Sequence, residues 1–322
     1  MLVSTIAILA GFVLLIWGAD KFVLGASGTA SNLGISPLVI GLTVVGFGTS
    51  APEMTVSFMA ALNGNPELAV GNAIGSNITN IGLVLGITAI VVPLSVHSKV
   101  LKREYPLMFA IMLLAWYLLY DQYLTFLDGV ILLSSMVLVL AIITFLGIND
   151  QKNSDEPLTS EFSDAIPTDI STKEAIFWLL AGLIILLISS KMLVWGAVNV
   201  ARELGVSDLI IGLTIVAIGT SLPELAASIA GALKGEHDIA IGNVIGSNMF
   251  NLLGVLGIPA IVHPHHLSAT VLSRDYPLMI GLSIALFIFA YGFKGQGKIN
   301  RLEGSLLLIT YFAYMYVIYI SI

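Results

Sequence analysis

Cysteine is absent from this chain, which excludes disulfides and thiolate metal centres. Charge is scarce: Asp, Glu, Lys and Arg make up 10% of the 322 residues, where a water-soluble chain carries about 25%. Period-two alternation of apolar and polar residues is missing, which argues against an outer-membrane barrel. There is no His-Glu-x-x-His, no pair of aspartates inside an apolar run, and no histidine in an apolar run near Ser50 or Ser221. Metalloprotease, aspartyl protease and serine hydrolase chemistry inside a membrane thus lack their residues, and the chain does not read as an enzyme. No basic residue precedes the first apolar run, which also lacks a small-x-small cleavage site, so it reads as a retained helix rather than a signal peptide. Nothing suggests a nucleic-acid partner or an obligate protein partner.

What is present is apolar length. The chain is 57% hydrophobic, and its long apolar runs mark a polytopic helical membrane protein embedded in a lipid bilayer. Hydropathy predicts ten spans, at about 2–24, 37–62, 68–92, 104–120, 127–148, 174–198, 208–233, 238–262, 275–292 and 302–321. The net charge of −7 is local. Residues 149–174 hold seven acids and two bases, five of the seven net negative charges, and mark a solvated loop. The predicted organisation is a first five-helix repeat at 1–148, a cytoplasmic linker at 149–173 and a second five-helix repeat at 174–322.

The two sets of five are a duplication. The stretch from Gly34 to Ser50 reappears from Gly205 to Ser221, Gly71-Asn-Ala-Ile-Gly-Ser-Asn77 reappears as Gly242-Asn-Val-Ile-Gly-Ser-Asn248, and Arg103-Glu-Tyr-Pro-Leu-Met108 as Arg274-Asp-Tyr-Pro-Leu-Met279, all at one offset of 171 residues. Five is odd, so the second copy starts on the other side of the membrane and the halves are predicted to be inverted, as in many secondary transporters. With the N-terminus outside, nine Lys and Arg fall in inner loops (Lys99, Lys102, Arg103, Lys152, Lys173, Lys234, Lys294, Lys298, Arg301) and two in outer loops (Arg202, Arg274). This bias predicts both termini outside, in the plasma or inner membrane.

Of the twenty acids, only Glu53 and Glu224 lie well inside a span. A carboxylate there costs at least about 2.5–3.5 kcal/mol on insertion scales and asks for a function. Both sit in Gly-Thr-Ser-x-Pro-Glu. Pro52 and Pro223 break their helices and are expected to free the carbonyls of Gly48 and Gly219. The glutamates then open the next half-helix, whose positive end suits a carboxylate, beside the hydroxyls of Thr49, Ser50, Thr220 and Ser221. One span later, Asn72, Ser76 and Asn80 share a helix face, as do Asn243, Ser247 and Asn251. If these faces meet the glutamates, the spans enclose a pocket of oxygens suited to a hard cation such as calcium or sodium, with no sulfur or buried imidazole to favour zinc or copper. The plain alternative is a proline kink with a hydrogen-bonded, protonated acid. Two copies in matched halves, each followed by a polar face, weigh against it. Asp20 and the arginines Arg103 and Arg274 read as interfacial residues. His263, His265 and His266 read as an interfacial loop, with a surface metal site as the alternative.

These residues resemble the cation/calcium exchanger superfamily, closest to the prokaryotic sodium/calcium exchangers. The resemblance rests on Gly-Thr-Ser-x-Pro-Glu followed by Gly-Asn-x-Ile-Gly-Ser-Asn in both halves. It implies an all-α fold of ten transmembrane helices in two inverted repeats, with broken helices 2, 3, 7 and 8 forming the core. It implies ion ligands at Thr49, Ser50, Glu53, Ser76 and Asn80 and at Thr220, Ser221, Glu224, Ser247 and Asn251, with metal-binding centred on Glu53, Glu224, Thr49 and Thr220. It also implies backbone carbonyl ligands at Gly46, Ala217, Thr49 and Thr220. Some members carry aspartate where this chain has Asn251, so here the site has two formal negative charges. The expected function is calcium-for-sodium exchange by alternating access, with Ca2+ and Na+ as transported ions and no cofactor. A proton- or potassium-coupled calcium or sodium exchanger is the alternative, and a cation channel is a further rival.

Overall fold

The computed structural model describes residues 1–96, 100–153, 170–205, 217–291 and 297–320. In chain order, α1 is Leu2–Leu33. The second span follows in pieces: α2 at Pro37–Ile40, a π-helical turn at Gly41–Val45, α3 at Gly46–Thr49 and α4 at Ala51–Leu62. Helix α5 (Pro66–Thr79) runs through a π-helical segment, Asn80–Leu85, into α6 (Gly86–Val91). Strand β1 (Leu94–Val96), a π turn (Val100–Glu104), α7 (Tyr105–Leu119), β2 (Tyr123–Leu124) and α8 (Phe126–Asn153) close the first half.

The second half repeats this order. It comprises α9 (Thr172–Glu203), α10 (Ala217–Thr220), α11 (Leu222–Leu233), α12 (His237–Phe250), a π segment (Asn251–Val255), α13 (Gly257–Val262), β3 (His265–His266), a π turn (Val271–Asp275), α14 (Tyr276–Ala290), β4 (Gly297–Ile299) and α15 (Arg301–Ile320). Pro66 and His237, Asn80 and Asn251, and Tyr105 and Tyr276 each open matching elements at the sequence offset of 171. The loop predicted at 149–173 lies largely outside the described residues. Its first residues prolong α8 to Asn153, and its end opens α9 at Thr172. The first part of the span predicted at 208–233, up to residue 216, also lies outside them.

Among the described residues, seven helices are long and apolar enough to cross a membrane, and a bent pair, Pro37–Thr49 with Ala51–Leu62, makes an eighth. The protein is therefore an integral, multi-pass, helical membrane protein. In Pro66–Val91 and His237–Val262, 78% and 89% of the most apolar stretch is buried, against 17–28% in the other unbroken spans. Those two are the centre of the molecule. The outer helices turn large apolar side chains outward, such as Phe12 and Ile16 on α1 and Phe177 and Ile184 on α9, as lipid contact requires.

Helices α1 and α9 pack antiparallel along a seam of small residues. Ser4, Gly11, Gly18 and Gly25 recur every seven residues on α1, and Ala175, Gly182, Ser189 and Gly196 on α9, all buried. A Cβ on Gly25 would lie 2.1 Å from the Leu179 backbone nitrogen, and one on Gly182 would lie 2.5 Å from that of Phe22. Only glycine allows this backbone approach, the usual device for packing helices in lipid. The amino terminus at one end of the seam meets Glu203 of α9 at 2.7 Å.

Reciprocal bonds tie the halves together. Tyr105 donates its hydroxyl to the Ser283 carbonyl (2.7 Å), and Tyr276 donates to that of Met112 (2.5 Å). Both donors and both acceptors are 171 residues apart. Two short antiparallel ribbons do the same: β1 pairs with β4 through Leu94 and Ile299, and β2 with β3 through Leu124 and His265.

One local expectation needs correction. Helices 3 and 8, predicted to be broken, are not: each stays helical and loosens into π geometry at Asn80 and Asn251. A wider turn accommodates the change of packing without exposing backbone, and such segments often mark functional sites. Asp20, read as interfacial, pairs with Lys234 at 2.6 Å. Arg103 and Arg274 each bond the acid that follows, Glu104 at 2.9 Å and Asp275 at 2.7 Å.

Candidate cation site

The two Gly-Thr-Ser-x-Pro-Glu segments fold alike. Ser50 (φ −79°, ψ 2°) and Ser221 (φ −88°, ψ 6°) leave helical geometry and so break their spans. In the first half the bend is 40°. Pro52 and Pro223 fall in the first turn of the helix that follows, where the missing N–H is no loss. Glu53 and Glu224 occupy the same first turns and are each 1% exposed. Each faces the other half: Thr220 neighbours the Glu53 carboxylate, and Thr49 and Ser50 neighbour that of Glu224. The two carboxylates are close enough to repel each other.

Around them, Thr49, Ser50, Ser76, Asn80, Ser221, Ser247 and Asn251 are all buried. Gly46 is buried in α3, and Ala217 and Thr220 belong to α10. The sequence-predicted residues thus lie at, or about one helical turn before, the break points and the two π segments. No ion pair joins either glutamate to a base among the described residues, and none of these residues forms a cluster of three or more His, Cys, Asp or Glu. Among the described residues the three-histidine loop forms no such cluster either, and His265 Nδ1 contacts the His263 carbonyl at 2.8 Å.

The polar atoms fall into two groups. One group is engaged. Asn72 donates from Nδ2 to the Glu53 carbonyl (3.0 Å) and to Ser57 Oγ (3.1 Å), and Asn243 donates likewise to the Glu224 carbonyl (3.1 Å) and to Ser228 Oγ (2.9 Å). These amides pin the main chain of each glutamate to the next span. Thr49 Oγ1 lies 3.0 Å from Asn243 Oδ1 and 3.1 Å from the Val45 carbonyl, and Ser247 donates to the Gly46 carbonyl at 3.2 Å. The carbonyls expected to be freed by proline are satisfied instead: that of Gly219 accepts from Ser190 Oγ (2.8 Å), and that of Gly48 accepts a backbone N–H at the Ser50 cap.

The other group makes no well-formed hydrogen bond to protein, although Thr220 lies beside Glu53 and Ser50 beside Glu224. It comprises both oxygens of Glu53, Oε2 of Glu224, Oγ of Ser50 and Ser221, Oδ1 of Asn80, and both amide atoms of Asn251. Leaving a buried polar atom unsatisfied costs about 1–3 kcal/mol, and more if charged. So many at one place suit a site whose missing contacts come from a ligand that binds oxygen. Asn77 and Asn248, which also bond here, escaped the sequence reading. They lie inside the repeated motif but off the face that its four-residue spacing selects.

An integral membrane protein with unpaired carboxylates at the centre of an oxygen-lined core belongs among ion-handling proteins, and the comparisons with known proteins narrow that class. Residues 3–145 and 174–320 match the family described as Sodium/calcium exchanger protein, and the chain belongs to that family. It is 49% identical to the CaxA protein of Alkalimonas amylolytica over 100% of both chains. It is 32% identical to the sodium/calcium exchanger MaX1 of Methanosarcina acetivorans, over 98% of this chain and 99% of the relative. The solved structure of the sodium-calcium exchanger NCX_Mj superposes with a TM-score of 0.84 at 32% identity, covering 98% of this chain and 99% of the other.

Proposed function

We propose that this protein is a secondary antiporter that exchanges calcium for sodium by alternating access. The observation that carries the reading is the meeting of Glu53 and Glu224, one from each half, buried and without a basic partner among the described residues. Two adjacent carboxylates in a low-dielectric core require a counter-charge. Calcium takes six to eight oxygens at about 2.3–2.6 Å. The two carboxylates supply up to four, and Ser50, Ser221, Asn80, Asn251, Ser76 and Ser247 with the carbonyls of Gly46, Ala217, Thr49 and Thr220 supply the remainder. Two negative charges balance one calcium ion. Sodium competes for the same oxygens, and that competition couples the gradients.

The architecture we infer is ten helices in two inverted five-helix repeats. Matching elements at one offset and the antiparallel packing of α1 on α9 support it, since equivalent helices that run in opposite directions are what inversion produces. The excess of Lys and Arg in alternate loops supports both termini outside, in the plasma or inner membrane.

The test is calcium uptake into proteoliposomes under an outward sodium gradient. Uptake that Glu53→Gln and Glu224→Gln abolish is expected; uptake that either variant retains in full contradicts the reading. Asparagine at both Asn80 and Asn251 keeps a second reading in view, a proton- or potassium-coupled exchanger of the same design. Replacing the sodium gradient by a proton or potassium gradient decides between them.

A further inference from the structure

The repeat places Asn77 opposite Asn248 and Asn80 opposite Asn251, yet the four amides are not used symmetrically. Asn80 donates from Nδ2 to Asn248 Oδ1 at 3.1 Å. The mirrored bond, from Asn251 to Asn77, is not made: Asn77 Oδ1 and both amide atoms of Asn251 are buried without a partner. Asn77 instead spends its NH2 on the Asn248 carbonyl (3.2 Å) and on Met279 Sδ (3.4 Å), which anchors the backbone of the residue that holds Asn80.

A carboxamide has one end that attracts a cation and one that repels it. Anchoring the NH2 of Asn80 on Asn248 leaves Oδ1 as the free end, and Asn80 Oδ1 is one of the unpartnered buried atoms at the site. Nothing selects the end that Asn251 presents.

We propose that Asn248 is a positioning residue that presets Asn80 with its oxygen toward the cation, while Asn251 is the adaptable ligand that turns on binding. This rests on the cation-site reading above. Asn248 does not touch the ion; it acts through Asn80. The two halves therefore make unequal contributions to one site, although their motifs are the same in sequence from Gly-Asn to Gly-Ser-Asn apart from one apolar position. Partners that orient a metal ligand are commonly worth about 10–100-fold in affinity.

The experiment is equilibrium binding of radioactive calcium to the purified full-length protein in detergent, with thermal melting to verify folding. Asn248→Leu is expected to weaken calcium binding about tenfold when Asn80 is intact, and less than about twofold in the Asn80→Ala background, where there is no amide to orient. Combined with Asn251→Leu, its effect is expected to multiply in full. Asn248→Ser, whose hydroxyl can still accept from the NH2 of Asn80 without adding charge, is expected to recover part of the affinity that Asn248→Ala loses. It carries the test if Asn248→Leu does not fold, because its benefit over Asn248→Ala is expected to vanish in Asn80→Ala. Equal effects of position 248 with and without the Asn80 amide, or no effect in either, overturn the positioning role while leaving the cation site standing. Absence of calcium binding by the wild-type protein overturns the underlying reading and this inference with it.

Discussion

The span Pro66–Val91 and the span His237–Val262 carry nearly the same motif in unlike surroundings. Gly71 is exposed, and Asn72 and Gly75 are half-buried, whereas Gly242, Asn243 and Gly246 are all buried. On the second-half side, α12 lies backbone to backbone against the second span. A Cβ on Gly246 would sit 2.2 Å from the Leu42 carbonyl oxygen, and one on Gly242 would sit 2.9 Å from that of Leu38. At the same offset Gly71 and Gly75 would meet residues 209–213, which lie outside the described residues. Duplicated sequence therefore does not mean duplicated environment.

The largest expected effect breaks the comparison at its centre. Glu53→Gln and Glu224→Gln should each reduce exchange at least about 100-fold, because removing one member of a buried charged set leaves the rest uncompensated, at about 3–5 kcal/mol. Equal losses at the two positions in a proteoliposome flux assay indicate one shared site. Next is the glycine pair. Gly246→Ala, whose Cβ would sit 2.2 Å from the Leu42 carbonyl oxygen, is expected to destabilise the protein by about 1–3 kcal/mol through overpacking, and Gly242→Ala, at 2.9 Å from that of Leu38, by less. Melting temperatures of the two purified variants measure the difference, and equal shifts would deny that the closer approach matters more.

A third comparison should come out even. Tyr105→Phe and Tyr276→Phe each remove one of two reciprocal bonds, so each should cost about 0.5–1.5 kcal/mol, by the same melting assay. The smallest expected effect is on pH. Glu236, in the connection before α12, accepts a bond from Ser27. Burial raises its pKa from the ordinary 4.5, Asp238 adds to the rise, and Lys234 and the Ser27 bond oppose it. The folded state thus holds this proton more tightly than the unfolded chain. The contribution to stability is full below the ordinary carboxylate pKa and declines as pH rises through the raised value. The first half has Asn65 at the equivalent position and nothing there to titrate. The melting temperature of wild type relative to Glu236→Gln should therefore fall as pH rises above the ordinary carboxylate pKa, and a flat difference would contradict this.

Much of the site could be read from sequence because membrane burial makes polar residues conspicuous. Glu53 and Glu224 stood out against apolar runs, Pro52 and Pro223 marked the breaks, and four-residue spacing selected the faces of Ser76 with Asn80 and of Ser247 with Asn251. The seven-residue recurrence from Ser4 to Gly25 and from Ala175 to Gly196 is in the sequence too but escaped the sequence reading as a seam, and hydropathy alone ended the first span near residue 24 where the structure carries it to Leu33. What could not be read was allocation. Proline predicts a lost N–H but not that Ser190 would satisfy the Gly219 carbonyl. A polar face predicts a lining but not that the lining helix would loosen into π geometry rather than break. Motifs this alike cannot reveal that Asn80 is held and Asn251 is not, because that difference lies in packing between the halves.

The central claim is that one carboxylate from each half holds a single cation. Equilibrium calcium binding to the purified wild type, Glu53→Gln, Glu224→Gln and the double variant tests it most directly. The expected result is saturable binding by the wild type, lost to the same extent in both single variants, with no further loss in the double. Wild-type affinity in either single variant would contradict it.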